Sequence, residues 1–186
     1  MRFRTLVGFS LATLALAGCG KGNLSEKVSA SKGNVFRYSI VTEPTDIDPG
    51  MVQDGDTIDL VQQVFEGLVA WGTNNEPVPN LAESWDVVDG GTGYVFHLKK
   101  GAKFHNGREV EAADFKFSIE RVCDPQFASP TAENYLNDIV GALDKLHKKS
   151  TEVKGVQVVD KYTLKITIDK PRPYFLGKLT YPTSFA

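Results

Sequence analysis

Three histidines, two cysteines and a scatter of carboxylates are the residues that could carry chemistry in this 186-residue chain. His97, His105 and His147 do not fall at metal-ligand spacing, and no Gly-x-Ser-x-Gly elbow or phosphate-cradling loop accompanies them. His97 alternates within an expected strand and His105 sits in an expected turn, places that suit packing or solvent. Asp46 and Asp48 lie in a proline-rich loop, where short carboxylates form turns by accepting nearby amides. Cys123 falls in an expected helix and reads as a buried thiol rather than a nucleophile. These patterns favour neither a hydrolase nor a metal centre, and they call for no cofactor.

Cys19 is in a different setting. The chain opens with Arg2 and Arg4, then runs through Leu6, Val7, Phe9, Leu11, Ala12, Leu14, Ala15 and Leu16 without a charge. That run is too short for a bilayer core of about 30 Å, which needs roughly 20 apolar residues. A basic start, a short apolar stretch and small residues make a secretory signal. Leu16-Ala17-Gly18-Cys19 resembles the lipobox of bacterial lipoproteins. The resemblance implies diacylglyceryl transfer to the Cys19 sulfur, cleavage after Gly18, and acylation of the new amino terminus. Each buried methylene adds about 0.8 kcal/mol, so two or more chains hold firmly where one would not. Residues 1–18 are thus expected to be a signal peptide, and the mature chain to be lipid-anchored in the periplasm or on the outer face of the cytoplasmic membrane.

The formal net charge is −2, with both signs mixed along the chain, so no basic patch suggests a nucleic-acid partner. No later segment is apolar enough to cross a membrane. With lipid on Cys19, Cys123 has no internal disulfide partner. Residues 19–33 are small and polar, a flexible tether.

The folded part mixes strands and helices. Residues 35–41 are rich in β-branched and aromatic types and predict a strand; 43–50, with Pro44 and Pro49, predict a loop. From Thr57, apolar residues at Val61, Val64, Phe65 and Leu68 share a helical face, with Asp56 or Thr57 as the cap. Asn74-Asn75 and 77–79 read as turns. Residues 85–88 and 94–98 flank a Gly-rich linker and predict a hairpin, followed by a tight turn at His105-Asn106-Gly107. Residues 112–122 predict a helix with Phe115, Ile119 and Val122 on one stripe; 133–146 predict another, with Leu136, Ile139, Val140 and Leu143 inward. A last hairpin joins 156–159 to 162–168, with Leu164, Ile166 and Ile168 on one face. The class is α/β or α+β.

Leu81-Ala82-Glu83-Ser84-Trp85, then Tyr94-Val95-Phe96-His97-Leu98-Lys99-Lys100-Gly101-Ala102-Lys103-Phe104-His105-Asn106-Gly107, is similar to the signature of the family 5 extracellular solute-binding proteins. Asp46-Ile47-Asp48-Pro49 and Phe65-Glu66-Gly67-Leu68 precede it in the family's order. Ala113-Asp114-Phe115-Lys116-Phe117-Ser118 and Pro171-Arg172-Pro173-Tyr174-Phe175 follow it. Glu111 stands where the family often has Thr, which would weaken the cap of the helix it precedes.

The resemblance implies an α/β fold: the N-terminal portion of a two-lobed, periplasmic-binding-protein-like (type II) structure, with mixed sheets and flanking helices, incomplete. It places 34–50 in the main lobe, 51–169 in a small α/β subdomain, and 170–186 at a truncated return to the main lobe. It implies a monomer that captures peptides for an ABC permease, without catalysis. Glu43, Pro44 and Thr45 stand where peptide-binding members present groups to the ligand, and Thr131 stands where some place an aromatic contact, with Tyr135 one helical turn on. Other ligands of the family (nickel chelates, haem, opines, oligosaccharides) and a lipid-anchored remnant that binds nothing stay open. A peptide hydrolase is disfavoured.

Overall fold

The computed structural model describes residues 37–44 and 46–186. The signal peptide, Cys19, the tether and Thr45 lie outside the described residues. The chain divides between Ser39 and Ile40, and every element below belongs to the second unit. The described part of the expected first strand, residues 37–41, is not a strand. A strand is defined by its ladder, and none of the described strands pairs with this segment.

Helix α1 (Gly55–Val61) is capped by Asp54, whose backbone is extended and whose Oδ1 accepts the Thr57 N–H at 2.9 Å. The cap is therefore neither Asp56 nor Thr57. Thr57 is instead a buried residue of the helix. The helix also ends earlier than its apolar spacing predicts, and Val64 is 51 % exposed. Long-range bonds decide this: the carbonyls of Gly67 and Leu68 accept the N–H groups of Leu81 and Ala82, committing the backbone there to an extended path. Strands β1 (Val69–Trp71) and β2 (Pro77–Pro79) then form an antiparallel hairpin. The expected turn at 77–79 is thus a strand. Proline is tolerated in so short a two-stranded ladder because an edge strand does not need every N–H.

The main sheet has the order β3-β4-β6-β5, from β3 (Ala82–Val88), β4 (Gly93–Leu98), β5 (Val156–Asp160) and β6 (Thr163–Thr167), and each ladder is antiparallel. Both expected hairpins form. In the linker between β3 and β4, Asp89, Gly90 and Gly91 all take positive φ, a conformation glycine adopts without a side-chain penalty. Alternation puts Tyr94, Phe96 and Leu98 of β4 and Leu164 and Ile166 of β6 on the buried face. Helix α2 (Ala112–Val122) covers that face with Ala112, Phe115, Ile119 and Val122. The Glu111 N–H donates to Asp114 Oδ2 at 2.8 Å, and Asp114 is also gripped by Arg108, so the helix start is tied through Asp114.

The single helix expected over 133–146 is two: α3 (Ala132–Leu136) and α4 (Ala142–Leu146). Gly141 at φ 84° precedes α4, and the intervening backbone joins the sheet. Ile139 bridges Ile168, Val140 N–H donates to Thr167 O at 3.0 Å, and Gly155 N–H donates to Val140 O at 2.7 Å. Consequently Val140 and Leu143, expected inward, are partly exposed, while Leu136 and Ile139 are buried. Helix α5 (Phe175–Lys178) inserts Phe175 against Tyr94, with ring centroids 4.9 Å apart, and a 3-10 turn (Pro182–Ser184) follows.

Candidate ligand-binding groove

The loop that precedes α1 is built by its own carboxylates. Asp46 Oδ1 accepts the Asp48 N–H at 2.9 Å, and Asp48 Oδ1 accepts the Gly50 N–H at 3.0 Å. Asp48 also pairs with Arg121 near the end of α2, through both terminal guanidinium nitrogens. The Arg121 guanidinium holds the Asp48 carboxyl below its ordinary range, against the opposing effect of burial. Arg121 in turn lies over the Phe127 ring, 4.1 Å from its centroid. Gly50 sits so close to α2 that a Cβ there would come within 2.6 Å of Val122 and 2.7 Å of Phe127.

Ser129 ties this loop to α3. Its Oγ donates to Gly50 O at 2.6 Å and accepts the Ala132 N–H at 3.2 Å. Thr131 is only 6 % exposed, and its hydroxyl hydrogen-bonds the Thr183 hydroxyl. Tyr135 stacks on Tyr181 with centroids 3.7 Å apart and planes 13° from parallel. The Tyr181 hydroxyl donates to Val52 O at 3.0 Å. Burial, reinforced by Tyr135, pushes the Tyr181 phenol above its ordinary value. Loop, α3 and the segment after α5 thus fasten one another.

Beside this junction runs an open groove of about 580 Å³. Helix α1 supplies Ile58, Asp59 and Gln62 to one side. Trp71, Tyr174 and the Tyr135–Tyr181 stack supply rings, and Gly177, Lys178 and Thr180 supply the α5 side. Trp71 and Tyr174 are 53 % and 51 % exposed, an unusual display for such large apolar areas. Their polar tips are nevertheless satisfied. The Trp71 indole N–H donates to Asn75 Oδ1 at 2.8 Å, and the Tyr174 hydroxyl accepts from Arg172 Nη1 at 2.8 Å.

The charges of the α5 side are compensated within the wall. Lys178 Nζ donates to Asp138 Oδ2 and Asn137 Oδ1, each at 2.7 Å, and Arg172 Nε lies 2.9 Å from Asp138 Oδ1. Asp138 is 3 % exposed, so its charge depends on these two cations. The Asp59 carboxylate, in contrast, has no hydrogen bond or ion pair among the described residues. Among the same residues no cluster of His, Cys, Asp and Glu could hold a metal ion, and Cys123 is buried, its thiol pushed up to about 12 by burial.

Of the residues singled out by sequence, Tyr135 lines the groove, whereas Thr131 does not and is buried with its hydroxyl bonded to that of Thr183. Glu43 is exposed and Pro44 half-buried, and among the described residues neither hydrogen-bonds to Thr131 or Tyr135. The two regions are joined further along the chain, where Ser129 meets Gly50. Trp71, Tyr174, Tyr181 and Asp59 were not legible as a group. Tyr174 stands in the Pro-Arg-Pro-Tyr-Phe motif, but nothing local marks Tyr181 as the partner of Tyr135.

Residues 76–186 match the bacterial extracellular solute-binding proteins, family 5, in their middle region. The chain is 34 % identical over 155 residues to the probable deoxycholate-binding periplasmic protein YgiS of Escherichia coli, covering 81 % of this chain and 29 % of that one. It is 34 % identical over 145 residues to the periplasmic oligopeptide-binding protein OppA of Escherichia coli, covering 77 % and 26 % respectively. The structure of the Escherichia coli murein tripeptide binding protein MppA superposes with a TM-score of 0.73 at 34 % identity, over 77 % of this chain and 28 % of that one. The α/β fold is therefore that of the corresponding segment of these proteins, and the chain spans less than a third of the length of each. These relatives are periplasmic solute-binding proteins rather than enzymes. No helix among the described residues is long and apolar enough to cross a membrane. Matched along most of its folded part in both sequence and shape, the chain belongs to the family 5 bacterial extracellular solute-binding proteins.

Proposed function

We propose that this chain forms part of a two-lobed binding protein that captures peptides outside the cytoplasm and delivers them intact to an ABC permease. The observation that carries the reading is its agreement in fold and sequence with a murein tripeptide-binding protein. Residues 51–169 act as the small subdomain, and 34–50 with 170–186 belong to the main lobe. Lobe closure is a hinge motion in which ligand contacts stabilise the closed state. Peptide backbones offer the same amides whatever their side chains, so one site can serve many sequences.

In this reading Glu43, Pro44 and Thr45 face the ligand from the loop. Tyr135 contacts it with the face left free by Tyr181, and Thr131 positions α3. The protein works as a monomer, held to the membrane by lipid on Cys19. The aromatic wall also suits a steroid such as deoxycholate, which one relative is named for.

A thermal-shift panel of di- to pentapeptides and deoxycholate tests the proposal. A ligand that binds only the folded state raises its melting temperature by mass action. Peptides should stabilise the chain and be recovered uncut by mass spectrometry. Stabilisation by deoxycholate alone, or recovery of cleaved peptide, would overturn peptide capture. Loss of fatty-acid label in Cys19→Ala checks the anchor.

A further inference from the structure

We infer that the groove between α1, Trp71 and α5 is a subsite for an organic cation, an ammonium or guanidinium group of the captured solute. The inference rests on the peptide-capture reading and names the chemistry of one part of that ligand. Three features carry it.

The first is charge. Of the carboxylates on and beside α1, Asp54 is engaged by Thr57, and Asp56 accepts the Thr42 hydroxyl at 3.0 Å. Asp59, which lines the groove, is exposed and has no partner among the described residues. The cation on the facing side, Lys178, is paired with Asp138, and Arg172 is shared between Asp138 and Asp169, so two carboxylates balance the two cations. The groove therefore offers an uncompensated negative group and no free positive one.

The second is the rings. Trp71 and Tyr174 are half exposed while their polar tips are occupied by Asn75 and Arg172. The Tyr174 ring already has the Arg172 guanidinium and the Lys178 ammonium 5.9 and 5.6 Å from its centroid, so the ring offered to a ligand is the Trp71 indole, whose face attracts a cation through its quadrupole. Indole is the strongest of the common rings in this respect. The tethered tips also fix the rings before any ligand arrives, which lowers the entropy lost on binding.

The third is room. Gly177 stands against Trp71: a Cβ there would meet the ring at 3.4 and 3.6 Å. A larger side chain at this position would push into the groove. Glycine in a helix is otherwise unfavourable, by about 1 kcal/mol relative to alanine. Its presence in α5 keeps the space beside the indole open.

Calorimetry on the purified full chain tests the inference with Ala-Lys-Ala, Ala-norleucine-Ala, the N-acetylated form of each, and agmatine as a peptide-free cation. An exposed cation–π contact and an exposed ion pair together imply roughly ten-fold tighter binding of the cationic probe. If a basic side chain is the source, the lysine peptides exceed the norleucine peptides by this factor. If the peptide amino terminus is the source, acetylation removes the gain instead. In either case Asp59→Asn should cut the preference to the few-fold that the indole alone supplies while leaving the neutral, acetylated peptide unchanged, and Gly177→Leu should weaken every cationic probe. Equal binding of cationic and neutral peptides, with no effect of Asp59→Asn, overturns the inference and leaves peptide capture standing. Agmatine binding that Asp59→Asn weakens, with no peptide bound, upholds the cation subsite and overturns peptide capture. Failure of agmatine and of every peptide overturns both.

Discussion

The four-stranded sheet with α2 and the groove wall beside it are held together by different means. In the sheet, Phe96, Phe115, Ile119, Leu164 and Ile166 are fully buried, and the fastening is apolar area over continuous ladders. In the wall, the loop around Asp48, the short α3 and the turn after α5 meet through hydroxyls, one stacked ring pair and one ion pair. Burial is non-directional and roughly proportional to area, so the sheet tolerates no loss of bulk but few of its residues need an exact partner. Polar fastening is directional and individually weak, so the wall can be altered one bond at a time. The difference separates what identifies the fold from what is proposed to meet a ligand. The sheet carries most of the family motif, whereas the wall carries Tyr135 and the exposed aromatic rings.

The largest effect should come from the sheet. Phe96 is fully buried, with Trp85 and Tyr94 rings each 6.4 Å from its own. Phe96→Ala removes the ring and leaves a cavity, a change that costs about 3–5 kcal/mol in well-packed cores. Small domains have only about 5–15 kcal/mol in total. Urea unfolding should therefore show a midpoint far below that of the parent chain. A loss under about 1 kcal/mol would mean the sheet is not the main source of stability, and the contrast would fail.

A smaller, pH-dependent effect should come from the wall. Arg121 lowers the Asp48 pKa in the folded chain, so the unfolded chain binds that proton more readily. The stabilisation is therefore fully present above the ordinary value of 3.8 and is lost as pH falls through the lower, folded value. Asp48→Asn should cost about 1–2 kcal/mol at neutral pH, the range of a part-exposed charged hydrogen bond. The gap between variant and parent should close in acid. An Asp48→Asn loss as large as that of Phe96→Ala, or one that persists at low pH, would break the distinction between the two regions.

The same distinction explains how much could be read from residue order. Both sheet hairpins and α2 were legible because alternation and helical spacing are local patterns. Leu164, Ile166 and Ile168 alternate, and the bounds of α2 are those its apolar stripe predicts. The wall was not legible, because distant residues decide its local structure. Spacing over 133–146 suits one helix, but the sheet claims Ile139 and Val140, and Gly141 marks the break. Likewise α1 stops where the backbone at 67–68 is drawn beside 81–82. Of the groove's rings, Tyr135 alone was singled out from residue order, by its place one helical turn after Thr131. Its stack on Tyr181 and the pairing of Lys178 with Asp138 were not, since contacts across so many residues leave no periodic trace.

The smallest effect sharpens the contrast by going the other way. Ala128, exposed between Phe127 and Ser129, has φ 54°, a left-handed conformation that costs a residue with a Cβ about 1 kcal/mol. Ala128→Gly relieves that strain, but the added freedom of glycine in the unfolded chain takes back part of the gain. The net should be a stabilisation of about 0.5 kcal/mol, or roughly 1–2 °C in Tm for a domain of this size. Its location matters more than its size. Ser129 is the residue that bonds Gly50 and opens α3, so relief at its neighbour should slow amide exchange in α3 while leaving the β4 and β6 amides unchanged. Slower exchange throughout the sheet would instead show that wall and sheet open as one cooperative unit, and the polar fastening would then have to be counted as part of the core.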